Sequence, residues 1–390
     1  MRGAFVKSGH WRGEAHDRYI ELYKKAMLTR DAAVRKPIYH EMQRILHQEV
    51  PAILPAGGDS ILVKRKYIRN LSYHPQIWSI KFDEVWKNEP MKNNPFLHPG
   101  QFFKGNLHTH SNISDGKLSP EEVCRRYQEN GYDFICLSDH FLPVYDFPVS
   151  DTRAFRTSNF TTILGAEVHL PSTSIGEKWH ILANGLPLDF EPPKQNERAP
   201  DLAARCAEAG AFVTIVHPEW YAIGIEDVLS IESAHAIEVY NHTSALRAAR
   251  GNGWGLLDQL LSRGHHLNAL ATDDAHFQID DAFGGWVMVK AQDRDSDALL
   301  TALKSGHYYS TQGPEIHDIR FEADEVIVDC SPAYGVYLLG KGSRAVQSEV
   351  RGQTTARLDA SRMGKGGMMR VTVVDDKGRA AWSNPMWRPE

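Results

Sequence analysis

The sequence predicts an α/β chain built on a parallel sheet or barrel, with an α+β appendage ahead of it and a small antiparallel β domain behind. Three observations lead there. Short apolar runs alternate with helical segments over residues 105–312, helical spacing without that alternation precedes them, and only strand-like alternation follows Gly313-Pro314. At 390 residues the chain has room for two or three domains, and boundaries are expected at 1–100, 101–313 and 314–390.

In the first segment, Tyr19, Leu22, Tyr23 and Ala26, then Tyr39, Met42, Ile45 and Leu46, recur at helical spacing, so two amphipathic helices are expected, interrupted over residues 31–37. Residues 61–63 and 71–73 look strand-like, residues 51–58 break the pattern, and the polar run 88–100 reads as a linker. The stretches "RKPIYHEMQRILHQEVPAILP" and "HPQIWSIKFDEVW" resemble the C-terminal end of ABC-transporter peptide-binding proteins, over roughly residues 10–88. Such proteins need two lobes around a cleft, and a tail of this length cannot build both. The resemblance implies a vestigial link to a peptide transporter, and the simpler expectation is a helical appendage packed on a neighbour.

In the middle segment the strand candidates are residues 134–137, 162–168, 181–182, 212–216, 237–240, 267–271 and 286–289. The clearest helix signal has Ser119 as N-cap, Pro120 at the first helical position, Glu122 completing a capping box and Gly131 just past the end. After Gly313-Pro314, "IRFEADEVIVDCS", "YGVYLLG" and "MRVTVVDDKGRAAWS" alternate and are separated by Gly or Asp-Lys-Gly turns, which predicts antiparallel strands.

Charge is uneven: 18 basic and 10 acidic residues over 1–104, 15 and 28 over 105–312, 11 and 11 over 313–390. The acidic middle also holds 12 of the 19 histidines. Imidazole and carboxylate together suit a cation, whereas nucleic acid calls for a basic stripe, so no nucleic-acid partner is expected. No apolar run is long enough for a membrane span. Cys124, Cys136, Cys206 and Cys330 are far apart, which excludes a thiolate zinc ribbon and a disulfide scaffold. Residues 1–16 lack the apolar core of a secretory signal, so a cytoplasmic location is expected.

The chemistry concentrates in "GNLHTHSNISDG". His108 and His110, two apart on an extended segment, leave from one face, and Asp115 follows, with Gly116 permitting a sharp turn. Similar residues recur at one predicted strand end after another: Asp139-His140, Glu167, His180, His217, and Asp274 with His276. In α/β barrels such ends converge on one rim. Nine donors (His108, His110, Asp115, His140, Glu167, His180, His217, Asp274 and His276) exceed the needs of one ion and suggest two or three divalent cations. Thiolates are absent from the set, which fits Zn, Mn or Fe bound by nitrogen and oxygen.

The order H-x-H, S-D-G, S-D-H, G-x-E, His, H-P, D-x-H resembles the PHP (polymerase and histidinol phosphatase) superfamily of metal-dependent phosphoesterases. The resemblance implies a distorted (β/α)7 TIM-like barrel. It also implies a ligand set: His108, His110, Glu167 and Asp274 on one metal, Glu167 with His180 and His217 on a second, and Asp115, His140 and His276 on a third. Within the superfamily, "GHYYSTQGP" and "GRAAWSNPMW" resemble the branch of carbaryl-hydrolase-like metallohydrolases, which carry a C-terminal β domain.

The expected function is therefore hydrolysis of a small-molecule phosphoester by a metal-bridging hydroxide at a di- or trinuclear site, with Asp274, His276 and Glu167 as catalytic residues. One alternative is a carbamate or amide-type ester hydrolase using the same site. Another, of a different class, is the solute-binding component of a peptide ABC transporter. Trp220, Asn241 and His242 are candidates for binding substrate. Asp273 is expected behind Asp274, on the opposite strand face. His169 could reach the site, a strand-face hydrogen bond being the simpler expectation. His235, His265 and His266 are read as surface or structural, and Lys178 and Arg247 are the cations nearest the motifs in sequence.

Overall fold

The computed structural model describes residues 13–29, 31–49, 94–322, 324–364 and 367–387, together with six two-residue strands between Ala52 and Lys87. The chain divides into two compact units, Met1–Pro90 and Met91–Glu390. Most of the expected break at 51–58, and residues 88–93 of the expected linker, lie outside the described residues.

In the first unit, α1 (Glu14–Leu28) and α2 (Ala32–Glu49) bury Leu22 and Ala26 against Ile38 and Met42, with Tyr19, Tyr23 and Ile45 around them. Arg18 reaches across to Glu41 at 2.9 Å. The interruption expected over 31–37 is much shorter: Asp31 Oδ1 accepts the Ala33 N–H at 2.8 Å and starts α2 at once, and Pro37 lies inside the helix. So close to the helix start, the proline forfeits one backbone bond without ending the helix. The described strand pieces pair antiparallel as Ala52–Ile53 with Val63–Lys64, Ile68–Arg69 with Trp86–Lys87, and Tyr73–His74 with Ser79–Ile80.

The second unit alternates strands and helices: β1 (Gln101–Asn106), α3 (Pro120–Glu129), β2 (Phe134–Leu137), β3 (His140–Phe141), β4 (Thr161–Leu170), β5 (Trp179–Asn184), α4 (Ala199–Glu208) and β6 (Phe212–Ile215). Then follow α5 (Ile225–Ser230), β7 (Ala236–Asn241), α6 (His242–Ala248), α7 (Trp254–Ser262), β8 (Asn268–Thr272), β9 (Trp286–Ala291), α8 (Ser296–Lys304) and β10 (Tyr308–Thr311). Ser119 Oγ accepts the Glu122 N–H at 3.3 Å and Gly131 follows α3 at φ 73°, as expected. The Glu122 carboxylate, however, is taken up by Arg125 and Arg126, so the reciprocal half of the capping box gives way to ion pairs on the helix surface.

These strands form one sheet in the order β8-β7-β6-β5-β4-β2-β1-β9-β10, with β3 beside β4. Pairs β1/β2, β2/β4, β3/β4, β6/β7 and β7/β8 are parallel, while β5 runs antiparallel to both its neighbours and β9 antiparallel to β1. The closed barrel implied by the resemblance is not present. No ladder joins β8 to β1, and their extensions meet only at a lone parallel bridge, Thr109 to Ala275. Side chains take the place of a neighbouring strand on β8: Asn384 Oδ1 accepts the Ala269 N–H at 2.9 Å, and Ser310 Oγ accepts the Ala271 N–H at 3.0 Å.

Antiparallel strands follow as expected. β11 (Ile316–Glu322), β12 (Glu325–Ala333) and β15 (Gln353–Asp359) form a small three-stranded sheet. β13 (Gly335–Gly340), β14 (Ala345–Ser348), β16 (Met368–Val374) and β17 (Ala380–Ser383) instead continue the large sheet, through β17 on β10. Asn384, 1% exposed, also donates Nδ2 to the carbonyls of Gly306 and Tyr308, both at 3.1 Å. Replacing it by alanine strands three buried backbone groups, so Asn384→Ala should lower stability by about 3 kcal/mol, read as a fall in the urea midpoint at unchanged slope.

Candidate metal centre

Beyond β1 the chain stays extended, so His108 and His110 share a face and their Nε2 atoms lie 3.1 and 3.0 Å from Asp274 Oδ1. Two contacts fix the loop that follows. Asp139, buried at the end of β2, accepts the Ser111 N–H and the hydroxyls of Ser111, Ser114 and Ser150, at 2.6 to 2.8 Å. Gly116 turns so close that a Cβ would sit 2.6 Å from the His110 carbonyl oxygen. This carries Asp115 Oδ1 to 3.4 Å from the Nε2 atoms of both His140 and His276.

Glu167, in the middle of β4 and 1% exposed, is the centre of the arrangement. Its Oε1 lies 2.8 Å from His180 Nδ1 and 3.2 Å from His217 Nε2. Its Oε2 lies 2.7 Å from His140 Nδ1 and 3.6 Å from the Nε2 atoms of both His108 and His110. All nine donors expected from the sequence are thus brought together. Donor atoms within 4.8 Å of one another form the sets His110-Asp115-His140-His276, His108-His110-Glu167, His108-His217-Asp274, Glu167-His180-His217 and His140-Glu167-His169. His217 at φ 30° and Asp274 at φ 57° occupy left-handed backbone, a strain that proteins retain where side-chain aim matters.

The donor set fits divalent cations on the structure's own evidence. His108 Nε2 and Glu167 Oε2 are buried without a hydrogen-bond partner, although Asp274 and His140 stand within ion-pair distance of them. Each belongs to a group of His, Asp and Glu donor atoms lying within 4.8 Å of one another. Exposure is graded: the His108, His110 and Glu167 side chains are at most 1% exposed, whereas His276, His140, His180 and Asp115 rise from 13% to 40% and mark the open side.

The electrostatics follow from crowding. Burial disfavours the His140 imidazolium, but the Glu167 and Asp115 carboxylates outweigh it and raise the group to about 10. Burial likewise opposes charge on His108 and His276, and neighbouring carboxylates raise both. His110 goes the other way, to about 4, through burial and the nearby His140 and His276 charges. Burial opposes the Glu167 anion, yet His140, His180 and His169 hold it well below the usual carboxylate range.

Sequence reasoning missed Glu238, on β7 and 1% exposed. Its carboxylate accepts from His108 Nδ1 (2.8 Å), Thr272 Oγ1 (2.6 Å), the His217 N–H (2.7 Å) and Asn241 Nδ2 (2.9 Å). It thereby sets the His108 tautomer and steadies two donor segments at once. The available signal was an acid inside a strand that is otherwise apolar, where burial requires partners. Asp273 stands behind Asp274: it accepts from Tyr127 Oη and the N–H groups of Phe283, Gly284 and Gly285, and burial raises it to about 6.

Of the substrate candidates, Trp220 is 43% exposed with its ring 5.2 and 5.5 Å from those of His217 and His180. Asn241 commits Oδ1 to the Ser244 N–H and Nδ2 to Glu238 and Asp274 Oδ2, and His242 Nδ1 meets Tyr240 Oη at 2.8 Å. Arg247 donates to Gln278, which donates to the Asp115 carbonyl, so it reaches the rim; Lys178 is exposed. His235 Nδ1 accepts the Val213 N–H, His266 stacks on Trp387, and His265 is exposed.

Residues 106–281 match the PHP domain family. No curated protein matches the chain. Among solved structures, a two-domain protein from Bacteroides vulgatus containing a predicted PHP-like metal-dependent phosphoesterase is similar at 18% identity and TM-score 0.44, covering 72% of this chain and 94% of its own. An amidohydrolase from Chromobacterium violaceum, with bound sulfate and no metal, is similar at 16% identity and TM-score 0.36, covering 45% of this chain and 89% of its own.

Two outcomes are expected. Because His140 is protonated at neutral pH without a cation, ligation must displace its proton. Cation binding should therefore release protons and tighten as pH rises from 6 to 9, by up to about tenfold per pH unit for each proton displaced. Titration calorimetry in buffers of different ionisation enthalpy reads this directly. Glu238→Gln should weaken cation binding by about 10- to 100-fold at unchanged circular dichroism.

Proposed function

With a PHP domain at residues 106–281, we propose that this chain is a metal-dependent phosphoesterase acting on a small-molecule phosphoester. The observation that carries the reading is the convergence of nine nitrogen and oxygen donors around the buried Glu167. In this reading residues 101–313 form the hydrolase, with 1–100 appended and 314–390 as a β domain. The cations, two or three of Zn, Mn or Fe, are held as the resemblance implies: His108, His110, Glu167 and Asp274; Glu167, His180 and His217; Asp115, His140 and His276.

Bound there, such ions supply Lewis acidity and make a water acidic near neutral pH. The remaining work belongs to the chain. Substrate approaches from the open side, where Asp115, His140, His180 and His276 are partly exposed. The buried floor of His108, His110 and Glu167 keeps bulk water out. Asp274, held by Asn241 Nδ2 at 3.1 Å, takes up the proton that the attacking water loses and hands it to the leaving-group oxygen, while Glu167 and His276 orient the reacting edge. Trp220 offers a ring face to the body of the substrate and His242 a further contact, whereas Asn241, buried and committed to Ser244, Glu238 and Asp274, serves the substrate only by holding Asp274.

One observation keeps the carbamate or amide-type reading in play. Trp220, exposed beside the His217 and His180 rings, together with Ile113, Val144 and Ile279, exposed on the segments that follow His110, His140 and His276 in sequence, would suit an uncharged ester. Protein loaded with Mn²⁺ or Zn²⁺ should hydrolyse aryl phosphate mono- or diesters, and Asp274→Asn should cut turnover at least about 100-fold. Cleavage of naphthyl carbamates with no phosphatase activity would replace the first reading by the second.

A further inference from the structure

His169 is not one of the nine donors, yet β4 and β5 place it beside His180 in register, with its side chain 1% exposed. Its Nε2 lies 2.9 Å from His140 Nδ1 in hydrogen-bonding geometry and 3.8 Å from Glu167 Oε2. The other nitrogen of His140, Nε2, faces Asp115 Oδ1 at 3.4 Å within the His110-Asp115-His140-His276 set. Ligation through Nε2 puts the ring proton on Nδ1. Two acceptors then compete for that proton: Glu167 Oε2 at 2.7 Å and His169 Nε2 at 2.9 Å. Only the second contact has hydrogen-bond geometry, and Glu167 Oε2 is left buried with no hydrogen-bond partner.

We propose that His169 is a positioning residue: it accepts the Nδ1 proton of His140 and so keeps Glu167 Oε2 free to ligate. Without it, the remaining acceptor within reach of that proton among the described residues is Glu167 Oε2, the carboxylate oxygen that the cations need. His169 therefore acts through His140 and Glu167 and touches no substrate. The inference rests on the reading of the cluster as a cation site, but not on which ester is cleaved.

The test compares the full-length protein with His169→Leu, which has no acceptor, and His169→Gln, whose Oε1 can stand where Nε2 stands. Mn²⁺ alone is the probe, with free Mn²⁺ followed by electron paramagnetic resonance. His169→Leu should lose about tenfold or more in affinity for at least one Mn²⁺, and His169→Gln should return to within about threefold of the parent. Leucine binding as well as the parent, or glutamine binding as poorly as leucine, would overturn the proposal. A merely structural role would not distinguish the two variants, and thermal melts in chelator identify any variant that fails to fold. If the parent itself binds no Mn²⁺, the cation reading falls with it, and that is seen before any variant is compared.

Discussion

A carboxylate removed from water has to be answered by charge or by hydrogen bonds, and Glu167 is answered almost entirely by imidazoles. Six histidines, from segments spanning residues 108 to 217, approach its two oxygens. The second unit is organised around this demand. Strands β3 and β5 flank β4 so that His140 and His180 meet the carboxylate from either side, and the extension of β1 supplies His108 and His110. Behind these, Glu238, Asp139 and Asp273 are anions of a different kind, saturated by hydroxyl, ring and backbone donors. The donor shell and its support are thus both acidic, but only the donor shell leaves lone pairs unspent.

Much of this was legible in the sequence because strand alternation and ligand chemistry reinforce each other. Residues 134–137 read as a strand and form one, and His108 and His110 share a face for the reason their spacing gives. What was not legible depends on neighbours across the sheet. Glu238 sits in an apolar run whose own pattern says nothing about His108, and His169 is settled by His140, which arrives from another strand. Pro37 misled because its cost depends on distance from a helix start that Asp31 sets. The closed barrel failed at β8, whose edge is met by two side chains far downstream in sequence.

In the N-terminal unit the helices follow from periodicity, with Leu22, Ala26, Ile38 and Met42 turned together.

The pairing of Asn384 with β8 has a consequence for how the protein is made. A ribosome releases the cation donors in order, with His276 last, but the strand that aims Asp274 is finished only by side chains at positions 310 and 384. The nascent chain therefore exposes an unbraced edge of β8 until residue 384 has emerged. A variant that ended before residue 384 would carry every donor and still lack the Asn384 bond to the Ala269 N–H that braces β8.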